Sequence, residues 1–302
     1  MRGGGAERGD ELKLGLGTAQ FGMPYGIANP GGQVPRREVA RILDTARRRR
    51  LGVLDTAFEY GNSEEVLGET LHPADEFRLV TKTPCFRTGR VSDTDAGSLR
   101  ASFLVSMARL RRARVYGLLV HHPADLLAPG GERLYAELTA LKHEGLASKI
   151  GASVYTRQQL DAMMDRFHLD LVQVPVNVLD QRLVASGHLA RLKAAGVEVH
   201  ARSAFLQGLL LMNPARLEGR FSSVRDHLSR YHGFLAHAGI DPVQAAIGFV
   251  VSLPQIDHVV VGVLDAEQLE QAADAAALPA LPADQMAPFA WDEESILDPT
   301  LW

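Results

Sequence analysis

The chain runs to 302 residues with a formal charge of −4, 46 % hydrophobic and 23 % charged residues. That composition excludes an intrinsically disordered chain and supplies one large core. No basic block interleaves with aromatics, and no apolar run reaches the about 20 residues of a membrane helix, so neither nucleic acid nor a membrane is expected as a partner.

The single cysteine, Cys85, rules out an intramolecular disulfide and suits a reducing compartment. A soluble cytoplasmic protein is expected, with Cys85 as a small apolar filler. From the N-terminus, Met1 to Asp10 is glycine-rich and charged without an apolar signal core, and residues 1–11 are expected to be flexible. Short apolar runs then alternate with amphipathic segments. The predicted strands are Lys13–Gly17, Val53–Ala57, Phe77–Lys82, Val115–His121, Lys149–Val154, Leu171–Asn177, Glu198–Phe205 and His258–Val263. Between them fall predicted helices over Arg36–Arg50, Ser63–Leu71, Ala96–Arg112, Glu132–Gly145, Thr156–Arg166, Val184–Ala195, Pro242–Leu253 and Ala266–Ala276. Gly52, Gly145 and Gly196 stand where helices should end in a left-handed residue. The run Arg47 to Arg50 reads as a last helical turn, where cations suit the helix dipole.

Eight strand–helix repeats without a composition break predict an α/β chain, a single-domain (β/α)8 TIM barrel over residues 12–277. No Gly-x-Gly-x-x-Gly follows a strand, which argues against an open dinucleotide-binding sheet. Residues 207–239 exceed a routine connection and carry Arg216, Arg220, Arg225, His227, Arg230, His232 and His237. They read either as a flap clamping phosphates over the barrel mouth or as a solvated helical insertion. Residues 278–302 are expected to pack near the barrel, because a terminal Leu301-Trp302 is a poor end to leave in water.

In a parallel barrel the C-terminal ends of the strands share one mouth. Asp55, Lys82 and His121 end the second, third and fourth predicted strands, and Tyr60 follows the second. A phenol is a sluggish acid or base at neutral pH. An ammonium beside it should lower its pKa, a carboxylate should hold that ammonium, and an imidazole can hydrogen-bond a substrate oxygen. Such a set suits proton delivery to a carbonyl oxygen during hydride transfer. Each residue alone has a plainer reading: Asp55 as a helix cap, Tyr60 as a loop aromatic, Lys82 as a solvated strand end, His121 as a core histidine. Their order around a barrel argues for the joint role. No metal is expected, since no His/Asp/Glu cluster has ligand spacing and His121 and His122 should point to opposite sides of a strand.

At these residues the chain resembles the aldo-keto reductase superfamily, from about Leu14 to Ala276. Leu14 to Gly22 resembles the family's opening strand, and Asp55 to Gly68 its most specific motif. The resemblance implies Tyr60 as proton donor, Lys82 as the modifier of its pKa, Asp55 as the partner of Lys82 and His121 as the carbonyl orienter. It also implies cofactor contacts at Gly17, Thr18 and Ala19, at Ser153 and Gln173, and at Arg202, Ser203, Phe205, Gln207 and Gly208. Gly262, Val263, Leu264, Asp265 and Gln268 match the adenosine-phosphate segment. Phe21, Tyr25, His122 and Trp302 are candidate walls of a substrate pocket.

Two departures from the family pattern bear on the cofactor. Arg202 stands where many members place an aromatic ring, so guanidinium stacking would substitute. No cation stands at Gly262, Leu264, Asp265 or Gln268, where a 2′-phosphate would sit, and Ala272 replaces an asparagine near the adenine. The resemblance implies NADPH, whereas Leu264 and Asp265 fit NADH, with Asp265 accepting from a ribose hydroxyl. The expected partner is a small carbonyl or alcohol, with a lean toward polar, sugar-like ones. Two other readings stay open: a barrel aldolase using Lys82 as a Schiff-base amine, and a cofactor-binding sensor with little turnover.

Overall fold

Eight strands of five to seven residues pair in parallel in chain order: β1 (Leu12–Gly17), β2 (Leu51–Asp55), β3 (Arg78–Lys82), β4 (Val115–Val120), β5 (Ala147–Ser153), β6 (Leu171–Pro175), β7 (Glu198–Arg202) and β8 (His258–Gly262). β8 closes on β1, so the sheet has no edge. The outer ring comprises α1 (Arg36–Arg48), α2 (Ser63–Thr70), α3 (Asp93–Leu110), α4 (Glu132–His143), α5 (Arg157–Met164), α6 (His188–Ala194), α8 (Pro242–Ser252) and α9 (Ala266–Ala277), with α7 (Arg225–Ala238) inserted before α8. This computed structural model describes residues 11–86, 89–279 and 283–302. The glycine-rich start, expected to be flexible, lies outside them up to residue 10. The architecture is the (β/α)8 barrel that the alternation predicts.

Several predicted strands overrun at the mouth. Val154 and Val176 are fully buried but lie past the last ladder residues of β5 and β6. Burial keeps them apolar without strand pairing. Gly145 and Gly196 take left-handed φ of 76° and 74°, whereas Arg50 (φ 55°), not Gly52, makes that turn after α1. Gly52 lies inside β2, where a Cβ would strike the Glu11 carboxylate and the Arg78 guanidinium. The arginines at the end of α1 do more than face the dipole: Arg47 pairs with Asp75, Arg48 and Arg49 with Glu270. α3 starts at Asp93, earlier than predicted, because Ser92 and Asp95 form a reciprocal capping box.

The strand pleat sorts β3 into layers. Outward, Leu79 joins the core beneath the helices and Thr81 donates to Glu64 of α2 at 2.6 Å. Inward, Val80 meets Val53, Leu119 and Leu171 in a small cluster at mid-barrel. Below it Arg78 contacts Glu11 and His258; above it Lys82 enters the mouth.

The barrel floor is a buried polar network. Glu198 accepts from Tyr116 Oη at 2.6 Å and from Lys149, and pairs with His200 Nε2 at 2.7 Å. Burial would raise the Glu198 carboxyl, but hydrogen bonds from His200, Lys149 and Tyr116 hold it below the usual range. The His258 ring stands edge-on to His200, 5.0 Å between centroids. Burial, then His200 and Arg78, push His258 down to about 3.

The charged side chains of the insertion do not reach the mouth. None of its seven arginines and histidines lines the cleft described below. Arg225 bonds Leu217 O, Arg220 bonds Leu301 O, His227 Nε2 meets Phe289 O and His232 Nε2 meets Leu210 O. These side chains are taken up by carbonyls of the loop and the tail, while Leu228, Tyr231 and Leu235 bury the inner face of α7. The tail packs through Met286, Ile296 and Leu297, all buried. Among the described residues no single helix is long and apolar enough to cross a membrane; the pair α7 and α8 passes such a test jointly but bends by 96°.

The floor makes stability pH-dependent. His258 is neutral in the fold and ordinarily titrates near 6.5, so its contribution is complete above pH 6.5 and is lost as pH falls toward 3. The loss reaches at most about 1.4 kcal/mol per pH unit. His258→Gln keeps an acceptor for Arg78 and removes the titration. Urea melts between pH 7 and 4 should therefore decline less steeply for the variant; parallel declines would contradict the assignment.

Candidate active site

Asp55 and Lys82 close adjacent strands and meet inside the barrel mouth. Lys82 Nζ donates to Asp55 Oδ2 at 2.6 Å and to Thr56 O at 2.9 Å, while Gln173 Nε2 on β6 donates to Asp55 Oδ1 at 2.8 Å. Both charged groups are buried. A buried ion pair persists only when its remaining donors and acceptors are satisfied, and the Thr56 carbonyl and Gln173 amide serve that purpose.

Tyr60 is carried by a tight loop. Gly61 has φ 55°, and a Cβ there would strike Gly22 O; a Cβ on Gly22 would strike Tyr60 O. Two glycines thus let this loop sit directly on the turn after β1. Ser63 Oγ locks the contact by donating to Thr18 O at 2.7 Å, and Thr18 Oγ1 donates to Asp55 O at 2.9 Å. Thr18, expected at the cofactor, lines the cleft but uses its hydroxyl as a strut. The half-buried Tyr60 ring lies 5.0 Å from Lys82 Nζ and edge-on to His121, 5.7 Å between centroids. Burial and then Asp55 push its phenol above the ordinary 10, with Arg202 opposing them. The expected lowering by Lys82 is not what sets this phenol, because Asp55 offsets the lysine charge at 2.6 Å.

The expectation that His121 and His122 diverge does not hold. β4 ends at Val120, so neither residue follows the strand pleat. His121 Nδ1 lies 3.4 Å and His122 Nε2 3.7 Å from the same oxygen, Glu59 Oε2. Burial pushes the His121 imidazole below 6.5; Glu59 acts against this and Lys82 with it. The imidazoles of His121 and His122 beside that oxygen hold the Glu59 carboxyl below the usual range.

A cleft of about 560 Å³ opens beside these groups. Its lining includes Tyr25, Glu59, Tyr60, His121 and His122, then Ser153, Gln173 and Arg202 from the ends of β5, β6 and β7, and Gly262, Val263, Leu264 and Gln268 from β8 through the start of α9. Gly17, Thr18 and Ala19 at the end of β1 and Ser203, Phe205, Gln207 and Gly208 after β7 also line it. In the segment after β7 Ser203, Leu206 and Gln207 hold left-handed φ of 61°, 47° and 54°, a strained stretch of the kind found at ligand clamps.

Three expected site residues fall elsewhere. Phe21 is fully buried in the main core, where its ring fills space behind β1. Trp302 packs edge-on against Phe221 at 5.0 Å, so Pro299 and Thr300 reach the cleft instead. Asp265 caps α9, accepting from Gln268 N at 2.8 Å, and does not line the cleft. Glu38 of α1 adds a second carboxylate at that helix start, accepting from Ala266 N at 2.9 Å. Ala272 is buried, and Gln271 faces the cleft.

Sequence reasoning missed Tyr155, whose ring lies 4.0 Å under the Arg202 guanidinium, and Glu59. Tyr155 follows the apolar run of β5, so its strand-end position was the available signal. Nothing in the sequence marks Glu59 apart from its neighbour Tyr60. Lys82 forms no part of the cleft wall and has two acceptors at Nζ; this speaks against a Schiff base, which needs an amine open to a carbonyl.

The Aldo/keto reductase family model matches residues 13–290. A curated relative, the NADH-specific methylglyoxal reductase of Escherichia coli (strain K12), is 26 % identical over 216 residues, 66 % of this chain and 65 % of that protein. An uncharacterized oxidoreductase of Schizosaccharomyces pombe is 30 % identical over 137 residues, 44 % of each chain. The chain thus spans less than two thirds of these curated relatives. The fold matches an aldo-keto reductase of Bacillus halodurans in its holo form, with TM-score 0.72 and 18 % identity over 96 % of this chain and 93 % of that one. It also matches the glycerol dehydrogenase of Gluconobacter oxydans, with TM-score 0.70 and 21 % identity over 92 % and 90 %. With a family match over nearly its whole length, and the barrel to go with it, this chain belongs to the aldo/keto reductase family of oxidoreductases.

Proposed function

We propose that the protein interconverts a small polar carbonyl compound and its alcohol, using NADH, with Tyr60 as the acid. The observation carrying this reading is the buried Lys82–Asp55 pair beneath Tyr60 and His121 at one end of a cleft large enough for a dinucleotide. When bound, the nicotinamide supplies the hydride that goes to the carbonyl carbon.

The chain supplies the proton and the geometry. The Tyr60 phenol stays protonated at neutral pH because burial and Asp55 disfavour its anion. It releases the proton only to an oxygen whose negative charge is building, which restricts the transfer to the transition state. Lys82 and Arg202 then face the transient phenolate until solvent returns a proton. His121, edge-on to the same ring, is placed to hold the substrate oxygen. Ser153 and Gln173 offer polar groups at mid-cleft, and Arg202, backed by Tyr155, offers a flat cation there.

NADH is preferred over NADPH in this reading because two carboxylates, Asp265 and Glu38, hold the N-terminal amides of α9. A helix start ordinarily attracts an anion; here those amides already have anionic partners, and a 2′-phosphate would meet repulsion. The relative's NADH specificity agrees with this. The polar walls at Tyr25, His122 and Thr300 suit a small oxygenated substrate.

Tyr60→Phe should lower kcat by about 10²–10⁴-fold while the dissociation constant for NADH, read by fluorescence, stays close to wild type. Undiminished reduction of methylglyoxal or simple aldehydes by the variant would remove Tyr60 as the acid. Glu38→Gln should improve NADPH binding relative to NADH by about fivefold, the worth of about 1 kcal/mol at a helix start. An unchanged ratio in parallel titrations would mean that the adenosine end lies elsewhere.

A further inference from the structure

We propose that Glu59, His121 and His122 form a site for a divalent transition-metal ion of the zinc class, and that occupancy blocks the proton-transfer machinery. Two imidazoles and a carboxylate are the ligand types such ions favour. Their ligand atoms all lie within 4.8 Å of one another. Ligands about 2.05 Å from a tetrahedral ion stand about 3.4 Å apart. The two edges shared by Glu59 Oε2 measure 3.4 Å to His121 Nδ1 and 3.7 Å to His122 Nε2. Closing the site therefore needs side-chain shifts of tenths of an ångström along these edges.

Two further observations point to a ligand. His121 Nδ1 is buried and has no hydrogen-bond partner among the described residues, although a carboxylate oxygen stands nearby. To hold a substrate oxygen, a neutral His121 must donate from Nε2, which leaves an Nδ1 lone pair facing Glu59; a cation between them satisfies both. The other carboxylate oxygen, Glu59 Oε1, already accepts from Cys85 N at 3.1 Å, so the carboxylate is fixed with Oε2 toward the histidines. Glu59 and His122 are 38 % and 35 % exposed, and all three residues line the cleft. An ion can enter from solvent and keep its fourth position open to the cavity. Lys82 is the cation nearest in chemistry to oppose it, and Asp55 offsets that charge. The second His/His/Glu grouping, Glu198 with His200 and His258, is a poorer site because Lys149 and Arg78 already press their cations against it.

Binding does not depend on the reading of the reaction; the blocking does, since it rests on a dication with an open position standing in the cleft where the substrate oxygen would meet Tyr60 and His121. The experiment is a titration of chelator-treated protein with cobalt(II) chloride, followed by displacement with zinc chloride. One equivalent should give the intense visible absorption of tetrahedral cobalt, and zinc should abolish it. Glu59→Gln and His122→Ala should each weaken zinc binding by about tenfold or more, since even losing a group behind a ligand costs about that much. Zinc should also suppress aldehyde-dependent NADH oxidation, with EDTA restoring it. Wild-type affinity in both variants, or only the pale spectrum of octahedral cobalt, would overturn the site. Zinc bound at full turnover would overturn the blocking. A protein without reductase activity that still gives the tetrahedral spectrum would count against the hydride-transfer reading and for the metal site.

Discussion

The ion pair between Lys82 and Asp55 is the constraint around which the mouth of this barrel is organised. Two opposite charges removed from water cost several kcal/mol each before any attraction is counted. The structure meets that cost with a 2.6 Å contact and hydrogen bonds on both partners, from the Gln173 amide and to the Thr56 carbonyl. β2, β3 and β6 therefore have to hold their relative positions at the mouth. The loop bearing Tyr60 inherits that position, because Thr18 and Ser63 tie it to the backbone at Asp55.

The same pair limits what its lysine can do. With Asp55 on one side and a carbonyl on another, Lys82 neither opens to the cleft nor acts as an unshielded cation. Its neighbour Tyr60 has a phenol raised by burial and then by Asp55. In the proposed reaction that phenol would be protonated when substrate arrives and would release its proton only as charge develops on the carbonyl oxygen. An acid of this kind discriminates the transition state from the ground state without a change in the protein.

Glu59 belongs to both the mouth and the proposed metal site, which gives it two incompatible tasks. As a carboxylate it stands beside both imidazoles; as a ligand it would hold a dication beside the place proposed for the substrate oxygen. The floor of the barrel holds a comparable His/His/Glu set, but there lysine and arginine side chains occupy the neighbouring positions. The two sets share composition and differ in accessibility and in the charges around them.

Local chemistry in the chain determined the barrel and most of the mouth. Alternating apolar runs and amphipathic segments dictate parallel strands with helices between them, and Asp55 and Lys82 fall at strand ends by count alone, with His121 just past one. Ser92 and Asp95 likewise encode the start of α3 three residues apart, a signal local to the chain. Contacts between distant segments decided the rest. Phe21 and Trp302 had the right chemistry for a pocket wall, yet core packing took one and Phe221 the other. Asp265 is a helix cap whose side chain points along the chain, which no spacing rule distinguishes from a ligand. Glu38 reaches Ala266 across 228 positions, and His121 and His122 converge on Glu59 because β4 stops one residue before them. Periodicity is a property of neighbours in the chain, whereas these choices depend on which side chain arrives first at a shared space, and only the closed barrel settles that.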